Sequence, residues 1–406
     1  MKNLNTFIAR RINSGKASAF TPIVMRIAIG SVAIGIAIMV LSFCILEGFK
    51  SNIKDTILSF TGHMEITRFS LTNIYDNPPI SSNSEIYKNA KSIPNVKDIQ
   101  KFAYKAGLLK TDNDTKGVIM KGIDRDYNWS RFDKNIKKGK AIYLPDSNYS
   151  KEIMISESLS KLLLLDTGEE VLLYFIQEPV RTRKLRISGI YKTGLEDFDD
   201  NVIIGDLKLI QRLNNWNDSM VGGFELFISE YDNLDQTSEE VFELIDYSMQ
   251  IELVEDKYPQ IFEWMSLLNR NVALIIGIIL VVATFNMIAT LIVLIMERTN
   301  MIGVLKALGA QDSNVKRIFI NNGLIIMAKG LFYGNSIALI LAALQFYFEV
   351  IPLNADNYYM DAVPIQFVWP YIIGVNLLSA LIIGIFLWIP AEIISRIKPV
   401  NAIKFS

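Results

Sequence analysis

With one histidine and one cysteine among 406 residues, the chain has few routes to covalent or metal chemistry. His63 stands before Met64-Glu65-Ile66, so the second histidine of a His-Glu-x-x-His zinc site is missing. A lone histidine at the start of a strand reads as structural. Neither a Gly-x-Ser-x-Gly elbow nor a dinucleotide-binding glycine pattern occurs. Gly15-Lys16-Ala17-Ser18 looks like the end of a phosphate loop, but Arg10 occupies the position of its first glycine. The acidic stretch GLEDFDDN (194–201) carries oxygen ligands suited to a divalent cation, yet lacks EF-hand spacing and reads as a solvated loop. Cys44 lies within an apolar run, so no disulfide forms within the chain. No catalysis and no metal or cofactor site are expected.

The elements that organise the chain are apolar. Residues 27–46, 272–296, 330–348 and 362–391 contain no charge. At about 1.5 Å per residue, each is long enough to cross a hydrocarbon core of about 30 Å as a helix. Basic residues resist translocation, and they gather on one side. Residues 1–26 hold five bases and no acid, and 297–317 hold four bases and two acids; 349–361 hold three acids and no base. Both termini and the 297–317 loop are therefore expected in the cytoplasm. The first span lacks a small-residue cleavage site and reads as an uncleaved signal anchor.

The expected fold is a membrane α-helical protein, four transmembrane helices arranged one plus three, with a large extracytoplasmic mixed α/β domain between helices 1 and 2. The expected boundaries are a cytoplasmic amphipathic segment at 1–22, transmembrane helix 1 at 23–46 and the extracytoplasmic domain at 47–270. Helix 2 follows at 271–296, a cytoplasmic loop at 297–317 and helix 3 at 318–348. An extracytoplasmic loop at 349–364, helix 4 at 365–390 and a cytoplasmic tail at 391–406 complete the chain. The large domain has a net charge of minus eight, which argues against nucleic acid as a partner.

Within that domain, short apolar runs alternate with turn signals. Strands are expected at 63–69, 102–110 and 116–122, the last two joined by the turn Thr-Asp-Asn-Asp (111–114). Strand 151–155 should feed a helix from Glu157 capped by Ser156, followed by strands at 170–176, 185–191 and 201–205 and a helix at 206–213. Residues 224–254 read as a βαβ unit with its helix at 238–247. In the spans, Ser31 with Gly35 and Gly330 with Gly334 have the small-xxx-small spacing that lets helices pack closely. Lys329 is placed to snorkel to the headgroups, and Trp369, Tyr371 and Trp388 suit the interfacial belts. After the second long run, the segment MERTNMIGVLKALGA (296–310) is amphipathic, with Met301, Val304, Leu305 and Leu308 on one side.

FNMIATLIVLIMERTNMIGVLKALGA (285–310) resembles the second span and coupling helix of permeases related to MacB and FtsX. More narrowly, FIARRINSGKASAF (7–20), ILEGFKSNIKDTILSFTGHMEI (45–66) and PAEIISRIKPVNAIKF (390–405) resemble the lipoprotein-releasing permeases LolC and LolE. MISESLSKLLLLDTGEEVLLYF, RISGIYKTG and DDNVIIGDLKLIQRL resemble their MacB-like outer domain, so the likeness covers essentially the whole chain. Two departures stand out: the loop QEPVRTRK (177–184) is short, and Asn321 and Asn322 stand where many relatives have an acid.

The resemblance implies an ABC transporter permease of the bacterial inner (cytoplasmic) membrane. Its partners would be a LolD-like ATPase dimer, a second permease chain (identical or sister), lipoprotein cargo, a LolA-like periplasmic carrier and membrane lipids. ATP and Mg would be bound by the ATPase, because this chain has no phosphate loop. The coupling segment would comprise Glu297, Arg298, Met301, Ile302, Val304, Leu305, Lys306 and Leu308. Cargo acyl chains would enter beside Met39, Val40, Phe43 and Leu46 of the first span and Leu267, Leu268, Val272 and Ile275 of the second. Pro179, Arg181 and Arg183 would dock the carrier. The alternatives are an FtsX-like mechanotransmitter that activates a cell-wall hydrolase and a MacB-like efflux permease.

Overall fold

The computed structural model describes residues 20–70, 78–111, 114–353, 360 and 362–396. The expected 1–22 amphipathic segment up to residue 19, the tip of the 111–114 turn and the tail from residue 397 lie outside the described residues. The chain divides into a helical unit (Met1–Ser51, Trp264–Leu353, Ala362–Ser406) and an α/β unit (Asn52–Glu263, Asn354–Asp361).

In chain order, α1 (Phe20–Phe60) is followed by β1 (Met64–Arg68), β2 (Ile80–Ser81), α2 (Glu85–Asn89), β3 (Val96–Lys110), β4 (Thr115–Ile123) and β5 (Ile136–Gly139). Next come β6 (Glu152–Ser156), α3 (Glu157–Leu163), β7 (Glu170–Phe175), β8 (Arg181–Tyr191), α4 (Glu196–Asp199) and β9 (Val202–Asp206). The α/β unit ends with α5 (Leu207–Leu213), β10 (Met220–Val221), β11 (Gly223–Ile228), α6 (Leu234–Phe242), β12 (Met249–Leu253) and α7 (Val254–Lys257).

Ten strands form one mixed sheet in the order β12-β1-β11-β3-β4-β9-β6-β8-β5, and β7 closes a ring by pairing with both β3 and β8. Pairing with β11 explains why β3 begins at Val96 rather than near 102. Its first half borders β11, from Val96 to Phe102, and its second half borders β7, from Gly107 to Lys110. β1 is antiparallel to both β11 and β12. Those two strands therefore run parallel, and α6 makes the crossover between them. This helix starts at Leu234, not 238, with Asp235 in its first turn.

Ser156 caps its helix as expected, and Asp206, read as the first residue of a helix, instead caps it. Ser156 Oγ accepts from Leu159 N at 3.0 Å to open α3, and Asp206 Oδ1 accepts from Lys208 N at 2.8 Å to open α5. The acidic stretch 194–201 is not an open loop. It forms the single turn α4, in which the buried Asp199 accepts from Thr193 N, Thr193 Oγ1 and Gly194 N. Its carboxylate is thus committed to the backbone. Among the described residues no cluster of metal-ligating side chains is found.

The helical unit continues with α8 (Pro259–Glu297), α9 (Thr299–Ala307), α10 (Asp312–Phe348), α11 (Trp369–Phe386) and α12 (Trp388–Arg396). Among the described residues, four candidate spans satisfy length and apolarity: Pro22–Phe60, Pro259–Glu297, Asp312–Phe348 and Trp369–Ser395. The helices outrun the charge-free stretches: α1 continues past residue 46 and α8 begins before 271. Glu47 and Lys50 pair at 2.9 Å one turn apart on α1, and Pro259 opens α8 where its missing N–H costs nothing.

Close helix contacts need small residues. A Cβ on Gly330 would lie 2.6 Å from Val32 Cγ1, and one on Gly334 would lie 2.6 Å from Ala33 O. Both glycines therefore seat α10 against α1. The other pair faces α8: Ser31 Oγ accepts from Asn286 Nδ2 at 2.6 Å, and Gly35 lies against Ile279 and Ala283. Asn335 and Asn376 exchange two side-chain hydrogen bonds, at 2.7 and 2.9 Å, between α10 and α11. Buried Gln345 binds the backbone of Ile351 and Val363 and ties down the connection that follows α10.

Candidate functional site

The short helix α9 has two faces. Ile302 is fully buried in an apolar cluster that includes Val315 and Phe319 of α10, Leu387 between α11 and α12, and Ile394 of α12, and Met301 and Leu305 pack on the same cluster. Val304 and Leu308, 49% and 79% exposed, face away. The apolar residues of 301–308 therefore do not form one partner surface, which corrects the single face read from the sequence. The outward stripe is Asn300, Val304, Ala307, Leu308 and Gln311, with Met296 one turn earlier. Spacings of four and three place Asn300, Val304 and Ala307 on one side of α9, with Leu308 at its C-cap; Met296, in α8, and Gln311, beyond the positive-φ Gly309, are exposed neighbours of that face. Sequence reasoning missed Asn300, Ala307 and Gln311 because it followed hydrophobicity alone.

Glu297 and Arg298 lie half-buried at the α8–α9 junction. Lys306 also leaves the expected partner surface. Its Nζ donates to Ile394 O at 2.7 Å and pairs with Asp312 at 2.9 Å, its side chain only 8% exposed.

The seam between α1 and α8 is closed by side chains. Met39, Val40 and Leu46 are buried, and Met39, Val40, Phe43, Val272 and Ile276 belong to one apolar cluster. Phe43 stacks on Tyr371 of α11 with ring centroids 5.6 Å apart. Leu267 and Ile275 are exposed and Leu268 is half-buried. The eight residues assigned to a cargo groove thus divide into a packed inner set and an exposed outer set. Trp369 and Trp388 are exposed, as interfacial residues would be.

The segment 177–184 is not a loop throughout. Arg181 and Arg183 belong to β8, opposite Phe175 and Leu173 of β7, which leaves 176–180 between the strands. Pro179, in that remainder, is exposed and follows a cis peptide bond. The Arg181 guanidinium donates to Arg212 O and Leu213 O at 2.9 Å and to Asn215 Oδ1 at 3.0 Å. It satisfies carbonyls at the end of α5 rather than standing free for a docking partner.

His63 is structural in detail. Ile228 N donates to its Nδ1 at 3.3 Å, and the ring lies edge-on to Phe227 and beside Tyr231. Burial, with Arg131 and Lys54 nearby, lowers its pKa to about 4. Because the unfolded chain takes up the proton near pH 6.5 and the folded one refuses it, His63 favours the folded state fully above pH 6.5. That advantage is lost as pH falls towards 4, by about 3 kcal/mol. His63→Gln, which keeps an acceptor without titrating, should flatten this part of the stability profile between pH 7 and 4. Parallel profiles for the two proteins, followed by denaturant melts, would contradict the assignment.

More than half of the chain, residues 27–242, matches the family described as MacB-like periplasmic core domain, and residues 273–399 match that described as FtsX-like permease C-terminal. The chain belongs to the family with a MacB-like periplasmic core domain. Over 99% of both sequences it is 23% identical to the lipoprotein-releasing system transmembrane protein LolE of Haemophilus influenzae. It is 18% identical to LolC of Xylella fastidiosa over 98% of this chain and 97% of the relative. The crystal structure of the periplasmic region of MacB from Actinobacillus actinomycetemcomitans is 16% identical over 51% of this chain and 95% of that one, with a TM-score of 0.36.

Proposed function

We propose that the chain is the permease subunit of an ABC transporter in the bacterial inner membrane, both termini cytoplasmic. A separate LolD-like ATPase binds ATP and Mg and drives lipoproteins from the outer leaflet to a periplasmic carrier. The observation that carries this reading is end-to-end similarity to LolE, including the α/β unit and the helix α9. The exposed stripe of α9 supports it, since an amphipathic helix on the basic side of the membrane, with a second face free, is built to bind a partner.

In this reading the acyl chains of the cargo enter where α1 and α8 meet. Met39 and Val40 are packed within the unit, so entry requires α8 to part from α1 and expose them. Leu267 and Ile275 are already accessible and would make the first contacts. Flexible Met and Phe side chains suit mobile acyl chains.

The test is reconstitution of the chain with its co-purifying ATPase and any sister permease in proteoliposomes loaded with a triacylated lipoprotein. ATP should move the lipoprotein to a soluble carrier, and a photo-crosslinker at Leu267 or Ile275 should capture it in an ATP-sensitive manner. ATP-dependent activation of a cell-wall hydrolase with no lipoprotein released would replace this reading by the mechanotransmitter one.

A further inference from the structure

Lys306 is the one cation of α9 within its helical span, and its side chain is turned into the helical unit. Its Nζ donates to Ile394 O of α12 at 2.7 Å. The same ammonium pairs with Asp312, the first residue of α10. One side chain therefore bridges α9, the start of α10 and the end of α12. Beneath it, Ile302 and Ile394 share the apolar cluster, and Lys316 of α10 pairs with Glu392 of α12 at 2.8 Å. Only Leu387 separates α12 from α11.

We infer that Lys306 is a positioning residue that makes α12, and through it α11, follow any displacement of α9. This rests on the proposed coupling role of α9 and adds a route by which movement there reaches the fourth span. The physical argument is one of relative stiffness. Apolar contacts between α9 and the cluster can slide by small repacking, whereas a charged hydrogen bond to the Ile394 carbonyl fixes both distance and direction. Breaking it favours the parted arrangement of α9 and α12 by about tenfold or more. The outward stripe of α9 does not include Lys306, so binding of a partner and transmission of its movement are separable by substitution.

The experiment uses the full chain with its co-purifying ATPase in nanodiscs, comparing wild type, Lys306→Met and Lys306→Arg. In the wild type, hydrogen exchange of α12 peptides should change when nucleotide is added. Lys306→Met should retain the ATPase and its basal hydrolysis, lose the nucleotide response of α12 and slow ATP-driven release about tenfold. Lys306→Arg, which keeps charge and donors, should restore the response. If Lys306→Met fails to fold, Lys306→Gln, a donor without charge, should weaken the response in the same direction. A wild-type-like response of α12 in Lys306→Met overturns the inference, as does loss of the ATPase from that variant, which would make Lys306 a contact residue. The exchange readout needs no cargo, so absence of lipoprotein release by the wild type would count against the transport reading alone.

Discussion

Aspartate at both Val304 and Leu308 is expected to strip the ATPase from the detergent-solubilised permease while leaving the permease itself folded. Both side chains are exposed on α9, so the substitution puts two carboxylates on a surface already in water. Against a partner groove the same carboxylates would be desolvated without a cation on this helix to meet them, because Lys306 is turned inward. Burying even one unpaired polar or charged group costs several kcal/mol, so the affinity should fall by at least about a hundredfold. Leu305→Asp provides the contrast. Leu305 packs on the cluster containing Ile302 and Phe319, and a charge there should lower the melting temperature of the permease before it affects any partner. Pull-down in mild detergent together with a melting curve separates the two effects. Retention of the ATPase by the Val304/Leu308 variant would remove the outward stripe from the coupling mechanism.

The need for this contrast marks where the sequence stops being informative. Periodicity located α9, but apolar residues occur on both of its sides, and only the packing of Ile302 decides which side is inward. Spacing alone ranks Val304 and Leu305 equally; the cluster beneath does not. The same limit applied to the α1–α8 seam, where Met39 and Leu267 have similar character and opposite exposure. By contrast, features governed by local chemistry were legible: the Ser156 cap, the β3–β4 pairing and the small-xxx-small pairs in the spans each depend on a few adjacent residues. β5 was not legible because Ile-Lys-Lys-Gly has no alternating apolar pattern; as an edge strand bordering only β8, it needs none. The early start of β3 was hidden for a related reason, since its first half is defined by β11, more than a hundred residues away in the chain.

Long-range pairing also hid the most consequential polar residues of the α/β unit. Glu65, Glu225 and Glu252 stand directly opposite one another on β1, β11 and β12, a like-charge row that no single strand reveals. Two lysines compensate it. Lys121 Nζ binds Glu225 Oε1 at 2.6 Å and also donates to Phe60 O at the end of α1, and Lys257 binds Glu65 at 2.5 Å. In sequence, these charges look like ordinary solvated positions on amphipathic strands. In the fold, both members of the Lys121–Glu225 pair are 1% exposed.

Lys121→Met should therefore destabilise the α/β unit by about 3–5 kcal/mol, because it leaves Glu225 buried, facing Glu65, with its nearest cation gone. Replacing both partners, Lys121→Met with Glu225→Met, should recover most of that loss, since a buried ion pair gains little over apolar side chains of similar volume. The exposed pair Lys184–Glu170 sets the scale: its side chains are 64% and 56% exposed, and Lys184→Met should leave the stability nearly unchanged. Burial pushes the Glu225 carboxyl up, and Lys121 opposes that shift. Removing Lys121 lets the folded state hold a proton that the unfolded chain releases, so the penalty in Lys121→Met should shrink as pH falls, the opposite sign to the His63 effect. Hydrogen exchange of β1 and β11 peptides in the full chain, followed over pH, measures both the size and the sign. A loss in Lys121→Met no larger than in Lys184→Met, or a double variant as unstable as the single one, would mean that the row of glutamates is stabilised by something other than its lysines.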